Sequence, residues 1–153
     1  MAISITRADF ADPALHRFLR AHLADMEPTA PPESRHALDL SGLRAPGVRL
    51  WVAHDDGRLV GTAALAELAP GQEELKSMRT EPDHRGRGIG ARLLNHVLAD
   101  ARGRGVGQVW LETGSMEFFA PARAFYRRYG FVDCPPFGSY RPDPNSVFLT
   151  RKL

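Results

Sequence analysis

The sequence predicts one α+β domain over residues 1–153, in which an early antiparallel β-meander is followed by a strand–helix–strand unit. Two apolar runs flank the tight-turn sequence Asp55-Asp56-Gly57, a pattern typical of a β-hairpin. Further along, a strongly amphipathic helical pattern begins at a glycine-rich loop and ends before another apolar strand. With 153 residues, of which 43% are hydrophobic, the chain is long enough to bury one proper core.

The N-terminal part of the chain is predicted to form one strand and two helices. The alternation at residues 3–5 indicates a short first strand. Pro13 occupies a first-turn position of the next helix. The apolar residues of that helix recur at helical spacing: Leu15, Phe18, Leu19, Leu23 and Met26. Residues 33–43 are predicted as a second, short helix, with these residues facing inward: Ala37, Leu38 and Leu40.

The central part of the chain is predicted to be a three-stranded meander followed by alternating helices and strands. The hairpin joins residues 48–54 to residues 58–68, and residues 75–80 follow as a third strand after a Pro-Gly turn. The later elements are a helix at residues 88–104, a strand at residues 106–112, a helix at residues 121–129, a strand starting at Phe131 and a last strand at residues 147–150.

Charge and composition exclude several classes of protein. The formal net charge of +2 is too small to indicate a nucleic-acid partner. The chain holds one cysteine, Cys134, so an internal disulfide is excluded and a reducing compartment is favoured. No stretch approaches the ~20 apolar residues that span a bilayer, and no signal-peptide pattern occurs at the N-terminus. We therefore expect a cytoplasmic protein without a membrane partner, and the sequence leaves a homodimer open.

The segment Arg85-Gly86-Arg87-Gly88-Ile89-Gly90-Ala91 is the clearest candidate binding site in the sequence. Its glycines let the backbone approach a ligand closely. The free N–H groups at the start of the following helix, together with the helix dipole, favour an anion. The arginines of the segment and Arg92 add positive charge. Together these features predict a site for a phosphate or pyrophosphate group.

One other phosphate-binding motif is an alternative for this segment, and a second is excluded. Residues 86–91 also fit the dinucleotide fingerprint G-x-G-x-x-G/A, and Glu112 follows roughly 20 residues later at a strand end. In that fingerprint the glycines directly follow a buried strand, whereas here the polar sequence Glu81-Pro82-Asp83-His84 intervenes. No G-x-x-x-x-G-K-[ST] pattern occurs in the sequence, which excludes a P-loop.

Taken with its flanks, the glycine-rich segment resembles the GNAT superfamily, the Gcn5-related N-acetyltransferases. Residues 85–90 match the family signature R/Q-x-x-G-x-G/A. Met78-Arg79-Thr80-Glu81-Pro82 lies where the family has a strand end followed by x-Pro. Residues 124–131 resemble the late element of the family, in which a tyrosine precedes Gly-Phe. The agreement in order and spacing extends over residues 50–132.

The resemblance implies both a fold and a set of cofactor contacts. The implied fold is a mixed, strongly twisted sheet of about six to seven strands flanked by about four helices, with two parallel strands splayed apart where acetyl-CoA enters. The implied cofactor-binding residues are Met78, Thr80, Arg85, Gly86, Arg87, Gly88, Ile89, Gly90, Ala91, Phe119 and Tyr126. Phe119 replaces an asparagine that many family members have a little before the tyrosine. We therefore expect apolar contact with the pantetheine arm at that position.

The resemblance also implies acetyl transfer to an amine by direct attack in a ternary complex. The backbone N–H of Met78 is the implied donor to the developing oxyanion, and Tyr126 is the implied acid for the leaving thiolate. Glu74 and Glu112 are the two candidate bases for the proton of the amine, because both lie at the cofactor strands.

Alternation along the strand at residues 75–80 predicts which side chains share a face. One face is predicted to hold Glu74, Lys76 and Met78, and the other to hold Leu75, Ser77 and Arg79. No metal is expected, because the six histidines show no metal-ligand spacing. Cys134 lacks the accompanying His or Asp pattern of a nucleophile, so no catalytic role is expected for it.

The acceptor is expected to lie against residues 27–43, outside the common core of the family. Ser34, Arg35 and His36 are expected to contact an acidic group on the acceptor, and Tyr140 to close the other side. Alternatively, Ser34, Arg35 and His36 form the exposed face of a short helix. A small-molecule amine is the first expectation for the acceptor. Two alternatives stay open: a protein or peptide amine, and a non-catalytic CoA-binding sensor on the same fold.

Overall fold

The computed structural model describes residues 2–36 and 38–153. These residues form a mixed sheet flanked by helices. Its strands are β1 (Ile3–Arg7), β2 (Val48–Asp55), β3 (Arg58–Ala69), β4 (Gln72–Thr80), β5 (Gln108–Gly114), β6 (Val132–Asp133) and β7 (Ser146–Lys152). Its α-helices are α1 (Pro13–Met26), α2 (Leu40–Leu43), α3 (Ile89–Gly103) and α4 (Ala120–Arg128). The strand order over the described residues is β1-β2-β3-β4-β5-β7-β6. The α+β fold with a mixed sheet is confirmed.

The hairpin between β2 and β3 forms where the Asp-Asp-Gly sequence predicts it. The two strands pair antiparallel, with Asp55 opposite Arg58 at the turn. Asp56 and Gly57 have φ angles of +48° and +87°, and a two-residue type I′ turn requires positive φ at both positions. β4 then pairs antiparallel with β3, which completes the predicted meander, and β1 pairs antiparallel with the outer side of β2.

Two hydrophobic clusters cover the two faces of the sheet. The cluster under α3 includes Ile89, Leu93, Leu94, Val97 and Leu98. The cluster under α1 includes Leu15, Phe18 and Leu19 together with residues of β2 and β3. α1 begins after Asp12, whose carboxylate accepts a hydrogen bond from the Ala14 N–H at 2.9 Å. Within the described residues, no helix has the length and apolar character needed to cross a membrane.

The prediction of one helix over residues 33–43 is wrong. A 3₁₀ turn at Pro32–Ser34 is followed by extended backbone at Arg35, and α2 covers only Leu40–Leu43. The helix starts late because the Asp39 carboxylate accepts from the Gly42 N–H at 3.0 Å and so caps a new first turn. Two of the predicted inward residues, Leu38 and Leu40, pack partly buried against the α1 cluster, and Ala37 lies outside the described residues.

A β-bulge interrupts β4 at Ser77. The pairing of β3 with β4 shifts by one residue here, so that Ser77 and Met78 together lie opposite Ala63. Ser77 has a φ of +53°, an uncommon conformation for a residue other than glycine. A bulge leaves the extra residue out of the hydrogen-bonded ladder. The regular pairing of β4 is therefore interrupted at this point, and the Ser77 carbonyl accepts from the Thr62 hydroxyl at 2.8 Å instead.

The bulge reverses the alternation predicted for the end of β4. Met78 packs against the α3 cluster together with Leu75, although it was predicted on the face of Glu74. The guanidinium of Arg79, predicted on the opposite face from Glu74, reaches α1 and donates to Asp25 at 2.6 Å. The prediction is wrong because one extra residue moves every following side chain to the other face.

β4 and β5 separate along their length. They pair in parallel only between residues 72–74 and residues 108–110, whereas β5 pairs with β7 along its full length. Beyond Glu74 the two parallel strands have no hydrogen-bonded register, so a gap opens between residues 75–80 and residues 111–114. This arrangement confirms the splayed parallel strands that the resemblance implies.

Candidate active site

A cavity of about 570 Å³ occupies the gap between β4 and β5. Its walls include residues 74–78 of β4 and residues 111–114 of β5. α4 contributes Tyr126 on one side of the sheet, and the C-terminal half of α1 and residues 34–36 contribute on the other. The volume is typical of a small-molecule site. One continuous chamber therefore connects the region beside α4 with the region beside α1.

The glycine-rich loop presents open backbone at the start of α3. Gly86 and Gly88 have φ angles of +80° and +78°, and a Cβ added at either would meet no heavy atom within 4 Å. Gly88 is the N-cap of α3 and provides no capping side chain. The first intrahelical bond runs from the Arg92 N–H to the Gly88 carbonyl, so the N–H groups of residues 89–91 have no helical partner. These free donors fit a pyrophosphate group.

The arginines of the loop extend into solvent. Arg85, Arg87 and Arg92 are all exposed, and they surround the free end of α3 with positive charge. The dinucleotide alternative does not fit this arrangement, because a 3₁₀ turn at Pro82–His84 separates the loop from β4, which itself lies in an antiparallel meander.

Two close contacts connect the glycine-rich loop and the cavity wall with α4 and with Phe119, the residue before it. A Cβ at Gly90 would lie 3.6 Å from the Phe125 ring and 3.6 Å from Thr80 Oγ1, so the first turn of α3 packs closely between α4 and the end of β4. A Cβ at Gly114 would overlap the ring of Phe119, which lines the cavity. Phe119 thus packs closely against Gly114 at the end of β5 and gives this wall an apolar surface.

Tyr126 lines the cavity from α4 and is 7% exposed. Its ring packs against Phe125 and Phe131, with centroid distances of 5.4 and 5.8 Å. Burial raises the pKa of the phenol, so the hydroxyl stays protonated at neutral pH. Among the described residues the hydroxyl has no hydrogen-bond partner. Tyr126 can therefore donate to a ligand in the cavity without breaking an existing bond.

Glu112 lines the cavity from β5, and the pKa of its carboxyl is strongly shifted. Burial raises the pKa of its carboxyl to about 7, and the nearby Glu74 carboxylate adds to the shift, whereas Ser146 and the Lys76 ammonium oppose it. A carboxyl that titrates near neutral pH can accept a proton and release it again. Glu112 therefore has the properties of a general base.

Glu74, the other predicted base, is already engaged. Its carboxylate accepts from the Tyr140 hydroxyl at 2.5 Å and from the Lys76 ammonium at 3.2 Å. Lys76 also donates to the Tyr140 oxygen at 3.0 Å, and burial beside Glu74 raises the pKa of Tyr140. Because two donors already reach the Glu74 carboxylate, it is less available to a substrate than Glu112. The sequence analysis gave no role to Lys76.

The predicted acceptor residues all line the cavity beside this cluster. His36 lies edge-on to the Tyr140 ring with a centroid distance of 4.8 Å. Ser34 is buried and donates to Asp143 at 2.5 Å, which links its segment to the loop before β7. Arg35 is exposed and donates from Nε to the Ala30 carbonyl at 2.8 Å.

Two further wall residues come from α1 and were missed by the sequence analysis. Arg20 and His22 line the cavity, although they lie outside the residues 27–43 expected to meet the acceptor. Burial and the guanidinium of Arg79 lower the pKa of His22 to about 4, so its ring is uncharged at neutral pH. Only the tertiary packing of α1 on β4 brings them to the site, and no local pattern marks them.

Cys134 lies outside the cavity wall. Burial raises the pKa of its thiol, which keeps it in the unreactive protonated form. Within residues 2–36 and 38–153, no group of three or more His, Cys, Asp or Glu side chains is placed to hold a metal ion.

Sequence comparison agrees with this geometry. Residues 46–133 match the family model described as the Acetyltransferase (GNAT) domain. YsnE of Bacillus subtilis, an uncharacterized N-acetyltransferase, is 46% identical over 132 residues, covering 86% of this chain and 87% of YsnE. An IAA acetyltransferase of Azospirillum brasilense is 41% identical over 136 residues, covering 88% of this chain and 86% of that protein.

Structural comparison extends the likeness to almost the whole chain. A solved structure from Klebsiella pneumoniae, assigned to the acyl-CoA N-acyltransferases, superposes with a TM-score of 0.82 at 32% identity. The match covers 99% of this chain and 97% of that one, so it includes the segments outside the glycine-rich core. The chain belongs to the GNAT acetyltransferase family and is an acyl-CoA-dependent N-acetyltransferase.

Proposed function

We propose that this enzyme transfers the acetyl group of acetyl-CoA to the amine of a small molecule, by direct attack in a ternary complex. The observation that carries the proposal is Glu112, a carboxyl with a pKa of about 7 inside the cavity that also reaches Tyr126. An amine must lose a proton to become an acetamide. A base that titrates near neutral pH, placed in the chamber where both substrates meet, is suited to take that proton.

The bulge at Ser77 supports a direct attack on the thioester carbonyl. Donors that stabilise the developing oxyanion are most effective as fixed backbone N–H groups in a site shielded from water. The interrupted ladder at Ser77 and Met78 puts backbone of β4 at the wall of the cavity. We assign the Met78 N–H to the oxyanion, and the free N–H groups of residues 89–91 to the pyrophosphate.

Tyr126 is assigned to the leaving thiolate. Replacing Tyr126 with Phe is expected to preserve the fold and acetyl-CoA affinity but to lower kcat by about tenfold to a hundredfold. The loss lies at the low end for acid catalysis, because a thiol with a pKa of about 8.5 is already a good leaving group. Single-turnover kinetics measure the chemical step directly. An unchanged single-turnover rate would make Tyr126 a packing residue only.

Two contacts across the acceptor region support a small molecule over a peptide. Ser34 bonds to Asp143, and His36 contacts Tyr140, so residues 34–36 and the loop before β7 meet across the site. An extended peptide needs an open groove to lie between these two segments. The same contacts leave room for a compact amine that fits within the cavity.

The acceptor class is tested by a panel of small primary amines and short peptides with free N-termini. Thiol release from acetyl-CoA is followed for each. We expect turnover with at least one small amine and none above background with the peptides. Turnover with peptides alone would favour a peptide N-acetyltransferase. Tight acetyl-CoA binding with no turnover on either set would favour a sensor.

A further inference from the structure

We infer that the acceptor carries a carboxylate in addition to its reactive amine, and that Arg35, assisted by Arg20, binds this carboxylate at the α1 side of the cavity. The inference rests on the proposed function and names the class of its acceptor, an amino carboxylic acid. It is carried by the distribution of charge around the cavity wall and by the way Arg35 is held.

The strand carboxylates and the two arginines line different parts of the cavity. The acidic side chains of the strands are Glu74 on β4 and Glu112 on β5. The arginines of the wall are Arg20, on α1, and Arg35, after the 3₁₀ turn. Glu27 also lines the α1 side, and like Arg20 and Arg35 it is exposed to solvent, so the two guanidinium groups leave a net positive charge there. An acceptor with an amine at one end and an anion at the other matches this polarity.

The other basic groups of the wall are already neutralised or uncharged. Lys76 is only 12% exposed in its side chain and pairs with Glu74. The pKa of His22 is lowered to about 4, and burial and Lys76 lower the pKa of His36. Both imidazoles are therefore mostly neutral at neutral pH. The permanent positive charge left for a ligand belongs to Arg20 and Arg35.

Arg79 and Arg104 have acidic partners, whereas the part-buried Arg123 and Arg151 donate to backbone carbonyls. Arg79 donates to Asp25 at 2.6 Å, and Arg104 donates to Glu73 at 2.7 Å through two nitrogens. Within residues 2–36 and 38–153, Arg20 and Arg35 form no such ion pair. Two unpaired guanidinium groups on the wall of one cavity are suited to an anionic ligand group.

One hydrogen bond to the backbone orients the Arg35 side chain. Its Nε donates to the Ala30 carbonyl at 2.8 Å, which leaves both terminal nitrogens free for a ligand. The preceding residue, Ser34, is buried and bonded to Asp143 at 2.5 Å, and Asp143 is itself fixed by accepting from the Asn145 N–H at 2.8 Å. A guanidinium oriented in this way loses less entropy when it binds a planar carboxylate.

The test uses matched acceptors and matched variants. The acceptors are amino acids with apolar, aromatic and basic side chains, the corresponding amino acid amides, the simple amines without the carboxylate, and an aminoalkyl phosphate. The variants are Arg35→Ala and Arg20→Ala, with Arg17→Ala as the control. Arg17 is an exposed residue of the same helix α1 and lies outside the cavity wall.

We expect the wild-type enzyme to use an amino acid, and Arg35→Ala to raise its KM by about tenfold with kcat little changed. Arg20→Ala is expected to act in the same direction with a smaller effect, because Arg20 has no bond that orients it. The KM of the matching amide should be unchanged in both variants. Comparing variants on each acceptor cancels the different basicities of the acid and amide amines. Arg17→Ala should change neither KM.

Three results would overturn the inference. In the first, the wild type acetylates simple amines but no amino acid. In the second, Arg35→Ala impairs the acid and the amide equally, which would indicate a structural role. In the third, the aminoalkyl phosphate is the preferred acceptor. If no amine of any kind is acetylated, the proposed function itself fails, and that outcome is distinct from these three.

Discussion

Replacing Glu112 with Gln is expected to lower kcat/KM by about 10²- to 10⁴-fold at neutral pH and by less at high pH. In the wild type, the active form of the base appears as the pH rises through its pKa of about 7. At high pH the amine is already free of its proton and needs no base. A pH–rate profile measures both effects. A variant profile that keeps the limb near pH 7 would show that Glu112 is not the base.

Glu74→Gln is the matched control for this assignment. The Glu74 carboxylate raises the pKa of Glu112, so its removal should move the limb of the profile to lower pH without abolishing it. Lys76→Met should move the limb to higher pH, because the ammonium lowers the same pKa. If instead Glu74→Gln removes the limb altogether, Glu74 is the base.

The free energy of unfolding of the Glu112→Gln variant provides a second, independent test. The folded-state pKa of Glu112, about 7, lies above its ordinary value of 4.5, so its contribution to stability is present at low pH and is lost as the pH rises towards 7. Above pH 7 the variant should be more stable than the wild type, by on the order of 3 kcal/mol, because each pKa unit is worth about 1.4 kcal/mol. Chemical denaturation at pH 5 and pH 8 measures this. An inactive but stabilised variant cannot owe its inactivity to unfolding.

Replacing Gly88 with Asp is expected to weaken acetyl-CoA binding by more than about tenfold. The new carboxylate would lie at the N-terminus of α3, beside the free N–H groups that we assign to the pyrophosphate. No heavy atom lies within 4 Å of a Cβ at this position, so the fold has room for the side chain. Calorimetric titration with acetyl-CoA measures the change in Kd.

The Gly88→Asn variant separates the effect of the added charge from the effect of the added side-chain size. Asn has nearly the same size as Asp and tolerates the left-handed conformation that Gly88 adopts, with its φ of +78°. We expect the Asn variant to bind more weakly than the wild type, because its side chain hinders close approach of the backbone, but more tightly than the Asp variant. Unchanged affinity in both variants would mean that the pyrophosphate binds elsewhere.

The sequence alone predicts those elements whose geometry depends on neighbouring residues in the chain. The Asp56-Gly57 turn has one favoured hairpin geometry, and the glycine-rich loop before a strongly periodic helix has one favoured orientation of its N–H groups. These two features place β2, β3 and α3. The resemblance to the GNAT family then supplied the mixed sheet and its two splayed parallel strands, β4 and β5, which periodicity alone does not encode.

What the sequence could not predict depends on contacts between distant residues. Nothing local marks Ser77 as a bulge, because the bulge is a property of the register between β3 and β4, and it reversed the predicted faces of Met78 and Arg79. The choice between Glu74 and Glu112 likewise depends on Tyr140, which lies 66 residues beyond Glu74 and occupies its carboxylate. Charge partners of this kind become visible only in the folded chain.

Acetyl transfer to a small amine is tested most directly by mass spectrometry of the product. The enzyme is incubated with acetyl-CoA labelled in its acetyl group and with the panel of small amines, and free thiol is measured in the same sample. The account predicts an amine that gains one labelled acetyl group in an amount equal to the thiol released, and a Glu112→Gln variant that forms it far more slowly at pH 7. Thiol release without a labelled amine would contradict it.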